Sequence, residues 1–170
     1  MSEAIKEMAD GLRKAMLAER TGYEFYKMAA RNTQDADGKA TFEHLAAEEQ
    51  EHFEFLRKHY ASLTEKGEWA TGVKLGAHKP TTAEAPIFSA QLHARIKAAH
   101  FEMSALAVAV QLELNGINHY KMMAEKASSP DAKKFFQELV VWETGHYDAL
   151  IMQQQLLQED YWNAAGFEPF

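Results

Sequence analysis

The chain repeats itself. Slid by 94 residues, positions 19–56 align with 113–150 without a gap, and 13 of the 38 pairs are identical. Among these pairs are Glu19/Glu113, Gly22/Gly116, Tyr26/Tyr120, Phe42/Phe136, Leu45/Leu139, Glu49/Glu143, His52/His146 and Leu56/Leu150. A gapless repeat of this kind constrains the architecture to two copies of one supersecondary unit.

That unit reads as a helical hairpin. Alternating β-branched runs are missing, and long stretches rich in Ala, Leu, Met, Glu, Lys and Gln favour helix. The pattern predicts helices near 3–31, 39–64, 102–127 and 131–158. Asn32 to Gly38 carries turn chemistry between the first two. Ser128-Ser129-Pro130-Asp131 does the same between the last two, with a serine cap and a proline at the helix start. The expected organisation is one all-α domain over 1–170. It comprises hairpin one (3–64), a crossover (65–101), hairpin two (102–158) and a C-terminal tail (159–170). The crossover holds Gly67, Gly72, Gly76, Pro80 and Pro86, then a possible short helix from Ile87 to Ala99. It is long enough to run the length of the bundle, which would make the second and third helices parallel. The aromatic tail from Tyr161 is expected to pack on the bundle or on a second subunit.

The repeated residues carry the chemistry. Glu49-x-x-His52 and Glu143-x-x-His146 are matching motifs, each with a glutamate 30 residues upstream, Glu19 and Glu113. Residue 34, midway between Glu19 and Glu49, falls in the first turn. Residue 128, midway between Glu113 and Glu143, falls in the second. Members of an antiparallel hairpin equidistant from its turn lie at one height, here roughly 20 Å from the turn. Two such hairpins can bring all four glutamates to one level. Within each motif, Glu and His at i, i+3 are neighbours on the helix surface.

Four carboxylates and two imidazoles match the donor set of carboxylate-bridged dinuclear bundles. Carboxylates bridge cations and supply four negative charges for two divalent ions, and imidazole suits iron. The expected ligands are Glu19, Glu49, His52, Glu113, Glu143 and His146. Glu49 and Glu143 would bridge, Glu19 and Glu113 would be terminal, and each metal would take one histidine. Two iron ions are the expected cofactor, with manganese also suited. Tyr26 and Tyr120 follow the terminal glutamates by two turns on the same face. Their hydroxyls are expected to bond carboxylates of the opposite hairpin. Gly22 and Gly116 either leave room for a small molecule or allow close helix packing. Trp142 and Phe53 are expected to wall the site. Histidines 44, 59, 78, 93, 100 and 119 lack mirrored partners and read as surface or structural. Glu48, Glu51 and Glu54 read as a solvated face.

Together, Glu19 with Tyr26, Ala47-Glu48-Glu49-Gln50-Glu51-His52, Glu113 with Tyr120, and Glu143-Thr144-Gly145-His146 resemble the rubrerythrin group of the ferritin-like superfamily. The resemblance implies a ferritin-like four-helix bundle with a long crossover, a di-iron centre and a homodimer. It implies reduction of hydrogen peroxide with electrons from a redox partner. Relatives oxidise ferrous iron for storage or handle O₂, and a non-catalytic, metal-stabilised bundle is a further alternative. Two departures stand out. The family's rubredoxin-like site is built from cysteines, and this chain has none. The family also carries an extra glutamate where this chain has Gly116.

Bulk properties narrow the rest. A net charge of −7 argues against a broad nucleic-acid surface or attraction to anionic membranes. No apolar run approaches a bilayer span, and the N-terminus is too polar for a secretory signal, so cytoplasm is the expected location. Without cysteine, this sequence provides no disulfide, thiol-peroxidase chemistry or protein-ligated iron–sulfur cluster. With no cysteine in the sequence, the resemblance implies peroxide or O₂ as the small-molecule partner and a separate electron-donor protein.

Overall fold

The computed structural model describes residues 2–73, 75 and 86–166. Four long helices dominate: α1 (Glu3–Asn32), α2 (Ala36–Lys66), α4 (His100–Lys126) and α5 (Pro130–Ala165). A five-residue helix, α3 (Ala90–Ala94), and a 3₁₀ turn (Ile96–Ala98) precede α4. No strand occurs among the described residues. The fold is an all-α, ferritin-like four-helix bundle.

Local chemistry sets the helix ends. Asp35 caps α2 by accepting from the Gly38 amide at 2.9 Å. Ser129 caps α5 immediately before Pro130, whose missing N–H costs nothing in a first turn. Gly67 and Gly166 terminate α2 and α5 with φ of 72° and 70°, a conformation that glycine adopts without steric cost. The first turn is shorter than the sequence suggests, because helix resumes directly after Asp35. The fourth helix also continues to Ala165 rather than ending near 158. Residues 159–165 contain no helix breaker, so they belong to α5 and not to a tail. Tyr161 packs on the core, whereas Trp162 remains substantially exposed. Residues 167–170 lie outside the described region.

The crossover returns to the end of the bundle where α1 meets α2. Ser89 donates its backbone N–H to Asp35 at 3.2 Å, and its hydroxyl bonds the same carboxylate. Glu102 in the first turn of α4 is buried and accepts from Thr33 Oγ1 at 2.9 Å. Helices α2 and α4 therefore start at one end and run parallel. At the opposite end, His119 Nε2 lies 3.0 Å from the Gly11 carbonyl oxygen.

Two apolar clusters fill the interior. One gathers Phe42, Leu45, Phe88, Leu106 and Leu150 near the α1–α2 turn. The other gathers Leu12, Leu56, Met123, Phe136 and Leu139 toward the far end. Between them lies a layer of buried acids and histidines. No helix among the described residues is long and apolar enough to cross a membrane.

Candidate metal centre

Glu19 from α1, Glu49 and His52 from α2, Glu113 from α4, and Glu143 and His146 from α5 meet in that layer. All six are at most 5% exposed. They form two overlapping groups: Glu19, Glu49, His52 and Glu143, and Glu49, Glu113, Glu143 and His146. Within each group, one potential ligand atom per residue lies within 4.8 Å of the others. Glu49 and Glu143 belong to both groups.

Both imidazoles turn Nδ1 toward the carboxylates. His52 Nδ1 lies 2.9 Å from Glu143 and 3.2 Å from Glu19. His146 Nδ1 lies 3.4 Å from Glu143 and 3.7 Å from Glu113. The tyrosines cross between hairpins: Tyr26 donates its hydroxyl to Glu113, and Tyr120 donates to Glu19. Each phenol thus ties one hairpin to an acid of the other. Burial, reinforced by the acids, pushes both phenols well above the ordinary tyrosine range, keeping them as donors.

Packing four carboxylates together has an electrostatic cost. Burial and the neighbouring acids push Glu49 well above the carboxylate range. Burial and the Glu143 charge push Glu113 up to about 8. Burial would depress His52, but Glu143 and Glu19 outweigh it and raise the imidazole to about 10. The acids likewise outweigh burial at His146 and raise it well above its ordinary value. Burial opposes ionisation of Glu143, but His52 and His146 hold it well below the usual range. Protons therefore compensate the charge when cations are absent.

Cations fit the arrangement. Glu49 Oε1 is buried with no hydrogen-bond partner among the described residues, although burying such an oxygen is costly. Hard oxygen donors with one imidazole per group are suited to iron or manganese. Glu19, Glu49, His52, Glu113, Glu143 and His146 are the residues able to hold them.

The two glycines differ. A Cβ on Gly22 would sit 2.7 Å from Glu49 Oε2, so the Glu49 carboxylate occupies that space. A Cβ on Gly116 would meet only Glu143 Cγ, at 3.8 Å. Both glycines line a cavity of about 300 Å³ between α1 and α4 that reaches all four carboxylates and Tyr26.

One expectation fails at Glu48. It is buried rather than solvated, and its carboxylate lies 3.0 Å from His146 Nε2. Glu51 is exposed, while Glu54 bonds Arg57. The missed signal was helical spacing: Leu45, Glu48, His52, Leu56, His59 and Leu63 form one stripe along α2. The same stripe buries His59. Trp142 sits with its ring centroid 5.1 Å from that of His52, while Phe53 is half-buried. His78 lies outside the described residues.

Two helical hairpins that converge acids and imidazoles on one buried pocket define the class of carboxylate–histidine metal bundles. A family model described as Rubrerythrin matches residues 10–153, and the chain belongs to that family. Neither the curated proteins nor the solved structures yield a match.

Proposed function

We propose that the protein is a di-iron oxidoreductase that reduces hydrogen peroxide at this centre. The observation that favours chemistry over a purely structural metal is the cavity beside Gly116, which leads to all four carboxylates. A site serving only as a folding staple needs no such approach. Two bound ferrous ions supply the two electrons that, with two protons, convert one peroxide to two waters. The chain's residues bind and orient. Glu49 and Glu143, shared by both groups, would hold both ions, Glu19 and Glu113 would each hold one, and Tyr26 and Tyr120 fix Glu113 and Glu19 by hydrogen bonds. The apolar clusters cover the centre toward the two ends of the bundle, leaving the cavity between α1 and α4 as the approach.

These 170 residues contain no cysteine, so reducing equivalents reach the centre from groups outside them, in our reading a separate donor protein. The replacement of a carboxylate by Gly116 favours a second reading, ferroxidation with O₂ as the oxidant. Anaerobic ferrous protein mixed separately with peroxide and O₂ in a stopped-flow instrument distinguishes the two. Peroxide should oxidise the centre faster. Oxidation by peroxide no faster than by O₂ would overturn the peroxidase reading. Iron uptake well beyond two per chain on aerobic loading would redirect the assignment to storage.

A further inference from the structure

The two halves of the centre are mirrored in their ligands but not behind them. Positions 48 and 142 correspond under the 94-residue repeat, yet one is glutamate and the other tryptophan. Glu48, only 7% exposed, accepts from His146 Nε2–H at 3.0 Å. His52 Nε2 is buried and has no hydrogen-bond partner among the described residues. Its ring has the Trp142 indole beside it instead, with centroids 5.1 Å apart.

This difference has a direct chemical consequence. A carboxylate behind a ligating imidazole holds the proton on the outer nitrogen and leaves the inner lone pair facing the metal. It also fixes the ring and strengthens the donor. Loss of such a partner costs metal affinity by about 10–100-fold. His146 has this support at Nε2, with Nδ1 toward Glu113 and Glu143. The indole gives His52 no acceptor. The same Glu48 oxygen also lies 3.3 Å from His44 Nε2, which helps to hold the carboxylate in place behind His146.

We propose that the two positions fill in order, the Glu113–His146 half first and the Glu19–His52 half second, with Glu48 as the positioning residue that sets the order. The inference rests on the two-metal reading above and extends it. Limiting metal then gives a singly loaded protein with its ion on His146. Sequential addition of two different divalent ions gives a mixed pair whose arrangement follows the order of addition.

The test is anaerobic titration of metal-free protein with Co(II), followed by calorimetry and paramagnetic proton NMR. Wild type should show two steps separated by about 10–100-fold in Kd. At one equivalent, one exchangeable imidazole N–H should be hyperfine-shifted, that of His146. His52→Ala should remove the weaker step and leave the tighter one. Glu48→Gln, nearly isosteric, should weaken the tighter step until the two converge, whatever the change in the metal-free thermal midpoint. A purely structural role for Glu48 would leave the separation between steps intact. The proposal is overturned by equal affinities in wild type, by an unchanged separation in Glu48→Gln, or by loss of the tighter step in His52→Ala. Saturation at no ion or one ion would overturn the two-metal reading itself, whereas two equal ions would overturn only the order.

Discussion

At Gly22 the space an alanine methyl would need is already taken by the Glu49 carboxylate, 2.7 Å from the added carbon. Gly22→Ala should therefore displace Glu49 and reduce metal content from two ions to one or none per chain. Gly116→Ala meets only an ordinary contact at 3.8 Å. It should keep both ions, and relief of a mid-helix glycine should raise stability by about 0.5–1 kcal/mol. Metal analysis and thermal melts of the pair check both outcomes; equal metal loss in the two variants would contradict this assignment of the glycines. His59 is a different case. It is 1% exposed, stacked on Trp69 at 4.0 Å, and both ring nitrogens lack partners among the described residues. Burial lowers its pKa to about 4. The unfolded chain takes up this proton near 6.5 and the folded one only near 4. Stability from the neutral ring is thus complete above 6.5 and lost as pH falls through that window. The loss is about 3 kcal/mol. His59→Leu should lose correspondingly less stability between pH 7 and 4.5 in urea unfolding. An identical loss in both proteins would rule out His59 as the source.

At the scale of elements, the hairpins were legible because two periodicities agreed. The repeat paired the helices, and the 3.6-residue spacing placed Glu19, Glu49, Glu113 and Glu143 on inward faces at one height. Helix ends were less legible. The α2 start depended on whether Asp35 acts as a cap or as one more turn residue, and α5 ran on to Gly166 because nothing earlier stops it. Glu48 shows why part of the site stayed hidden. Its spacing placed it on the buried stripe, but its partner His146 is 98 residues away on α5. Which residues meet across that gap depends on how α2 and α5 are rotated against each other, and this rotation is a property of the packed core. Asp35 has a similar long-range role. It caps α2 and also receives the N–H and hydroxyl of Ser89 from the crossover. Burial opposes its ionisation, but these hydrogen bonds outweigh that and hold it below the ordinary range. Asp35→Ala should cost about 2 kcal/mol, roughly half from the lost cap and half from the unpaired Ser89 groups. Ser89→Ala alone should cost about half as much in chemical denaturation. If Ser89→Ala is neutral, the hydroxyl adds nothing and the crossover is tied to Asp35 by the Ser89 backbone N–H alone.

For the whole molecule, the centre is where the two hairpins are joined, and protons and metals compete to join them. In the metal-free protein Glu113 keeps its proton up to about 8, against 4.5 for a free glutamate, and His52 keeps its proton up to about 10, against 6.5. In both cases the folded state binds the proton more tightly than the unfolded chain. Each such proton stabilises the fold fully below the unfolded pKa, and that contribution is lost as pH rises through the folded one. The cost is about 1.4 kcal/mol per pH unit per proton where only the folded state retains it. His59 offsets this only at the low edge of the range, because its window closes near 6.5. Metal binding has the opposite dependence, since cations must displace those same protons and bind more tightly as pH rises. The metal-free protein should therefore soften between pH 6 and 8 while Mn(II)-loaded protein holds or gains stability. The gap between their thermal midpoints should widen steadily across that range. Calorimetric titration in buffers of different ionisation enthalpy should show protons released as Mn(II) binds. A gap that narrows with rising pH, or binding without proton release, would mean that the buried acids and imidazoles already stand deprotonated, leaving the metal-free bundle to carry the charge of all four carboxylates without compensation.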